Sequence, residues 1–253
     1  MMKKELLFAF GAFFLMSLHA IAGNSLTDPP QTETMTIKTY KKDVTGDGKR
    51  DIIKLNAIPF EPDALFLKQI WATITPSEGS KLRIDYEGGY EPEITFADLN
   101  HDGVKDLLYR AATGGSGGLY ENALHTAKGG KVQELDLPSG ITIDAHFEDQ
   151  YKGVISFPDT QQSYTVDLSD RKDDYERLGI FTKGILNEPT ELMVAPIAFF
   201  EPTKIRGKKG KGLKGYQQIS GAYRADGVGT ATSYWYYEDG NWNLMKIVWK
   251  TDR

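Results

Sequence analysis

Two nine-residue stretches of this chain repeat one pattern: DVTGDGKRD over Asp43–Asp51 and DLNHDGVKD over Asp98–Asp106. Each sets Asp at positions 1, 5 and 9, Gly at position 6, and an oxygen-bearing side chain at position 3, Thr45 or Asn100. Each then runs into an apolar stretch, DIIKL or DLLYR. Carboxylates this close repel one another unless something holds them, and the strand-like exit ties each loop to a sheet. The two starts lie 55 residues apart, which points to an internal repeat of a four-strand unit.

The rest of the chain agrees with a strand-rich reading. Short runs of β-branched, aromatic and aliphatic residues recur between Gly, Pro, Asn and Asp. They are TMTIKTY (Thr34–Tyr40), DIIKLNAI (Asp51–Ile58), QIWATIT (Gln69–Thr75), KLRIDY (Lys81–Tyr86) and EITFADL (Glu93–Leu99). Later come ITIDAHF (Ile141–Phe147), GVISF (Gly153–Phe157) and SYTVDL (Ser163–Leu168). Alternation through Ile141, Ile143, Ala145 and Phe147 marks a half-buried strand. Thr230–Tyr237 and Trp242–Lys250 flank Asp239-Gly240, which suits a type I′ hairpin turn. Helical pattern is confined to Asp170–Leu178, which reads equally as a charged loop. The expected fold is all-β, with many short antiparallel strands in β-propeller-like repeats; a β-sandwich is the alternative.

The N-terminus reads as an export signal. Lys3 and Lys4 precede a 15-residue apolar segment, Leu6–Ala20, and Ala20-Ile21-Ala22 supplies the small residues of a cleavage site. Residues 1–22 are thus expected to be removed, which moves the net charge from −5 to −6. Residues 23–33 read as a flexible leader, and 34–253 as the all-β domain. The apolar segment is shorter than the roughly 20 residues a membrane helix needs, so a secreted or envelope-associated product with no membrane span is expected. No cysteine is present, which excludes disulfides, thiol catalysis and thiolate metal sites.

The twin loops have the chemistry of calcium sites. Calcium takes six to eight oxygens, largely carboxylates with a backbone carbonyl among them. A loop coiling once around the ion would point positions 1, 3 and 5 inward, offer the carbonyl of 7 and close with 9. The candidate ligands are therefore Asp43, Thr45, Asp47, Lys49 and Asp51, and Asp98, Asn100, Asp102, Val104 and Asp106. Lys49 and Val104 would contribute backbone carbonyls only. Position 12 is Lys54 or Tyr109 rather than an acid, and strands replace flanking helices, so these are not EF-hands. His101 falls at an outward position and is assigned no role.

The pattern D-x-[DNT]-x-D-G-x-x-D ahead of an apolar strand resembles the calcium loops of FG-GAP and VCBS-type repeats. ADLNHDGVKDLLYRAATGGSGG together with LKGYQQISGAYRADGVGT is similar to uncharacterised secreted VCBS-repeat proteins of bacilli. That resemblance implies calcium loops on β-propeller repeats. Two departures stand out. The Phe-Gly…Gly-Ala-Pro signature is absent, and KIRGKKGKGLKG (Lys204–Gly215) occupies the place where such relatives tend to carry a third acidic loop.

Gly114-Gly115-Ser116-Gly117-Gly118 satisfies G-x-S-x-G, but a nucleophile elbow belongs to a parallel α/β sheet. Downstream lie only His125 and His146, and His125 reads as a surface or satisfied polar residue. Glu121, Glu148 and Asp149 are carboxylates that nothing in the sequence pairs, so a hydrolase of cell-wall or extracellular polymers stays as an alternative. The six basic residues of Lys204–Lys214 read as a solvated hairpin loop, with contact to an anionic envelope polymer as the functional option. The overall acidity argues against nucleic acid. Tyr234–Tyr237, Trp242 and Trp249 read as core packing, with sugar stacking in a carbohydrate-binding module as the alternative. The expectation is an exported, calcium-binding, non-enzymatic interaction module whose partner is a protein or an anionic polymer.

Overall fold

A computed structural model describes residues 33–252. The expected export signal and nearly all of the expected leader lie outside those residues. The described chain is all-β, with many short antiparallel strands. A first sheet is formed by β1 (Met35–Lys42), β2 (Asp51–Pro59), β3 (Leu67–Thr75) and β4 (Leu82–Tyr86), paired in chain order. A second is formed the same way by β5 (Tyr90–Ala97), β6 (Asp106–Ala112), β7 (Tyr120–Thr126) and β8 (Gln133–Leu135). In each meander the aspartate loop is the first hairpin connection. Lys42 pairs with Asp51, and Ala97 pairs with Asp106.

A three-stranded sheet follows, from β9 (Asp144–Glu148), β10 (Lys152–Phe157) and β11 (Gln162–Asp167). After it come the short helix α1 (Lys172–Arg177) and a two-stranded pair, β12 (Phe181–Thr182) with β13 (Ile185–Leu186). The last sheet holds β14 (Met193–Val194), β15 (Phe200–Thr203), β16 (Gly212–Ser220), β17 (Gly227–Glu238) and β18 (Asn241–Thr251). Glu238 pairs with Asn241 across Asp239 (φ 54°) and Gly240 (φ 80°), so the two-residue turn takes left-handed angles at both positions, as a type I′ turn requires.

Three apolar clusters stack these sheets face to face. Ile53, Leu55, Ile70 and Ile74 of the first sheet meet Ile94, Leu107 and Tyr109 of the second. The opposite face of the second, through Leu108 and Leu124, meets Phe200, Leu213 and Trp235 of the last. Ile219, Ala231 and Ile247 of the last sheet meet Phe147, Ile155 and Phe157 of the third. Strand β6 is therefore covered on both sides, and its first four residues, Asp106–Tyr109, are all buried. Burying each large apolar side chain there stabilises by about 1.5–3 kcal/mol. A closed ring of blades is not seen among the described residues.

Several sequence readings shift in detail. The alternating run at Ile141 becomes strand only from Asp144; Ile141 and Ile143 pack against the core from an irregular segment. Asp170–Leu178 is helical over Lys172–Arg177, held by Tyr175, whose side chain is fully buried. The strands β7, β8, β15 and β16 carry weak alternation, because Gly, Gln, Pro and charged residues interrupt them, and β12–β14 are two residues each, too short for a pattern; tertiary pairing makes them strands.

Candidate functional site

The two aspartate loops share a backbone. Positions 4 and 6 have positive φ in both: Gly46 (78°) and Gly48 (82°), His101 (61°) and Gly103 (88°). Position 9 closes each loop from inside. Asp51 Oδ2 accepts the amides of Val44 at 2.8 Å and Thr45 at 3.0 Å. Asp106 Oδ2 accepts the amides of Leu99 at 2.8 Å and Asn100 at 3.3 Å. Both aspartates are fully buried, at 0% exposure, where an unpartnered carboxylate is costly.

Beyond that shared closure the loops differ. In the first, the Thr45 hydroxyl donates to both oxygens of Asp51, at 3.3 and 3.2 Å. Asp43 accepts from the amides of Gly46 and Gly48 at 2.7 and 2.9 Å. Asp47 accepts from the Lys49 amide and the Ser77 hydroxyl, which hold its carboxyl below the usual range; the Ser77 bond is the larger cause. The Lys49 side chain turns away to pair with Glu78 at 2.6 Å. Every carboxylate oxygen of Asp43, Asp47 and Asp51 has a hydrogen-bond donor.

In the second loop Asn100 replaces threonine, and its amide donates to Asp102 at 3.2 Å instead of reaching Asp106. Gly103 donates to Asp98 Oδ2 at 3.0 Å, and Val104 to Asp102 Oδ1 at 2.9 Å. Asp98 Oδ1 and Asp106 Oδ1 are left buried with no partner. Burial pushes the Asp106 carboxyl up to about 6 against the pull of the Leu99 and Asn100 amides, and the charges of Asp102 and Asp98 add to the rise. A cation held at this loop would satisfy two orphaned oxygens and a carboxylate whose charge burial disfavours. As folded, however, no three carboxylate or imidazole side chains among the described residues converge as a metal cluster. The fit to calcium thus rests on the orphaned oxygens of loop 98–106, with Asn100 and backbone carbonyls as further donors. Loop 43–51 offers no such atom.

The loops lie side by side. The 3-10 turn Lys128–Gly130 after β7 bridges them: the Gly129 amide donates to the Thr45 carbonyl at 2.8 Å, and Lys128 Nζ to the Asp102 carbonyl at 2.9 Å. The same ammonium lies 3.5 Å from Asp102 Oδ2 and supplies part of the positive charge the loop needs. No spacing signal pointed to Lys128. His101, given no role from sequence, ties the second loop to the last sheet. Its ring nitrogens face the Tyr237 carbonyl at 3.0 Å and the Lys211 carbonyl at 2.9 Å, and its ring stacks on Tyr236 at 4.5 Å. Those contacts offset the left-handed backbone that a non-glycine residue resists.

The competing sites fare differently. Ser116 is exposed in the β6–β7 hairpin loop, with no strand-to-helix elbow beneath it. His125 corrects the sequence reading: it is neither a surface nor a satisfied residue, being 8% exposed with Nδ1 unpartnered. Its place on β7 turns it toward the first sheet, where its ring lies nearly perpendicular to that of Tyr86. The basic segment runs through the β15–β16 hairpin loop into β16: Lys208 in the loop pairs with Glu238, and Lys214 on β16 pairs with Glu201. Trp235 and Tyr236 are buried, Trp249 packs near Phe157 and Tyr164, and Trp242 donates to the Asp136 carbonyl.

Residues 141–250, which span β9 to nearly the end of β18, match the family described as the YybI C-terminal domain. The match leaves both aspartate loops outside. The chain is 26% identical over 213 residues to the uncharacterized protein YybI of Bacillus subtilis (strain 168), covering 79% of each. No solved structure matches the chain. The similarity fits an uncharacterised family of bacilli and attaches no ligand to it. No helix among the described residues is long and apolar enough to cross a membrane.

Proposed function

We propose that the chain is an exported, calcium-binding, non-enzymatic β protein that serves as an extracellular or cell-envelope interaction module. The loops would belong to VCBS/FG-GAP-type repeats. Asp98, Asn100, Asp102, Asp106 and the Val104 carbonyl would hold the ion, which supplies the positive charge that Asp98 and Asp106 lack. The observation that carries the reading is the pair of buried, unpartnered oxygens, Asp98 Oδ1 and Asp106 Oδ1. The partner would be a protein or an anionic envelope polymer, met in part by the exposed basic residues of the β15–β16 loop.

Calcium that binds only the folded state stabilises it by mass action. With a dissociation constant of about 10⁻³ M, typical of extracellular modules, 10 mM calcium adds about 1.4 kcal/mol. For a domain of this size that raises Tm by about 3–6 °C. The test compares melting in calcium and in EGTA for wild type and Asp102→Ala. The expected shift is present in wild type and largely lost in the variant; identical melts for folded wild type with and without calcium would refute the proposal.

A further inference from the structure

Where the first sheet meets the second, a cleft of about 340 Å³ opens between the β4 edge and strands β7 and β8. Ligand pockets begin near this size, about 300 Å³. Its floor is aromatic: the Tyr86 and Tyr109 rings stack 3.9 Å apart and 3° from parallel, with the His125 ring 5.7 Å from Tyr86 and nearly perpendicular to it. Two polar atoms in that floor are buried without a partner, the Tyr86 hydroxyl and His125 Nδ1. Leaving such a group unsatisfied costs about 1–3 kcal/mol, so a ligand that hydrogen-bonds there recovers part of that cost.

The lining also fixes the sign of that occupant. Asp85, Glu87, Glu121 and Glu134 line the cleft, and no lysine or arginine does. Asp85 pairs with Arg83 at 2.6 Å, while the three glutamates have no ion pair among the described residues. Their charge reaches the floor: burial first, then Glu121 and Glu87, push the Tyr109 hydroxyl up. Burial pushes the His125 imidazole down, against the opposing charge of Glu134. A neutral imidazole keeps one nitrogen as an acceptor. No metal-ligand cluster forms here among the described residues, and an ammonium group can answer both the unpaired glutamates and an acceptor nitrogen, since each of its N–H bonds is a donor.

We propose that this cleft binds a small protonated amine, its charge balanced by Glu87, Glu121 and Glu134 and an N–H received by His125. The site shares no residue with the aspartate loops and stands whether or not they bind calcium.

Spermidine serves as the probe, titrated into ¹³C-labelled protein while the His125 ring signal is followed by NMR. We expect a saturable shift of that signal in wild type. Affinity should weaken about tenfold in the Glu121→Gln/Glu134→Gln double variant, since truncated rim charges lower encounter and retention. Both substituted residues are exposed, so the fold is retained. Glu188→Gln, at an exposed acid outside the cleft, should bind as wild type does. Absence of a saturable His125 shift, equal affinity in the double variant, or an equal shift with glucose overturns the proposal. So does a spermidine response confined to residues 98–106.

Discussion

Val104 of the second aspartate loop rests on Gly46 of the first: a Cβ added to Gly46 would lie 2.7 Å from Val104 Cγ2. The two loops are thereby one packed unit rather than two independent turns. Val104 is 9% exposed, and the neighbouring Val44 is fully buried.

Gly46→Ala tests that contact. The new methyl must displace a β-branched neighbour, at about 1–3 kcal/mol, and accept a left-handed backbone, at about 1–2 kcal/mol. We expect a total loss of about 2–5 kcal/mol. Adding Val104→Ala should recover the steric part. Urea midpoints of the two single variants and the double give the coupling, and strict additivity would exclude contact between the loops.

Asp226 anchors α1 to the turn between β16 and β17. Its carboxylate accepts from Arg171 at 2.5 Å, Tyr175 at 2.7 Å and the Ala222 amide at 2.9 Å. Burial, then the bond to Asp226, pushes the Tyr175 hydroxyl up, so it remains a donor. Breaking a buried pair costs about 3–5 kcal/mol; Arg171 keeps 25% exposure, so Asp226→Ala should fall at or below about 3 kcal/mol. Tyr175→Phe should cost about 1 kcal/mol. Chemical denaturation checks both, and a neutral Asp226→Ala would remove the anchor from the account.

Asp106 predicts a pH dependence of definite sign. Its folded value, pushed up to about 6, lies above the unfolded value of about 3.9. Between those values the folded state holds the extra proton, so stability falls as pH rises from about 4 to 6. The loss at neutral pH is at most about 3 kcal/mol. His125 works oppositely: its lowered value gives stability that is present above about 6.5 and lost as pH falls. The difference between wild type and Asp106→Asn isolates the aspartate. Denaturation in chelator at several pH values should give a wild-type-minus-variant difference that falls as pH rises through the folded Asp106 value, and calcium should flatten it.

The two loops should respond unequally to calcium. Asp98 has an orphaned oxygen, whereas both oxygens of Asp43 accept backbone amides. We expect Asp98→Asn to abolish the calcium-dependent rise in Tm and Asp43→Asn to keep it. Lys128→Met, which removes the ammonium beside Asp102, should enlarge the rise. Equal losses in the two aspartate variants would mean that the orphaned oxygens do not select the site.

Much of the frame was legible in the residues. The strand after each loop begins at its ninth residue because an apolar run starts there, and the Asp239-Gly240 turn is written in its dipeptide. Less legible were β7 and β16, whose Asn122, Gln217 and Gln218 break the alternation. Their pairing with β6 and β17 supplies the order that their own residues do not. The roles of His101 and Lys128 were invisible for the same reason, since their partners lie 110 to 136 residues away for one and 26 for the other.

The sequence by itself determined that the chain is strand-built, that two aspartate loops share one spacing, and that no thiol chemistry is available. Those follow from local periodicity and residue type. Only the tertiary structure decided which loop is left short of positive charge. By residue type Asn100 is the better ligand and already favours loop 98–106, but the pattern does not say where either side chain turns. In the fold, the threonine hydroxyl turns onto Asp51, while the asparagine amide turns onto Asp102 and leaves Asp106 Oδ1 bare. That choice depends on burial and on where each donor can reach, which spacing alone does not encode. The acidic cleft is the same kind of result: Tyr86 and His125 lie 39 positions apart, and stacking two sheets is what brings them together.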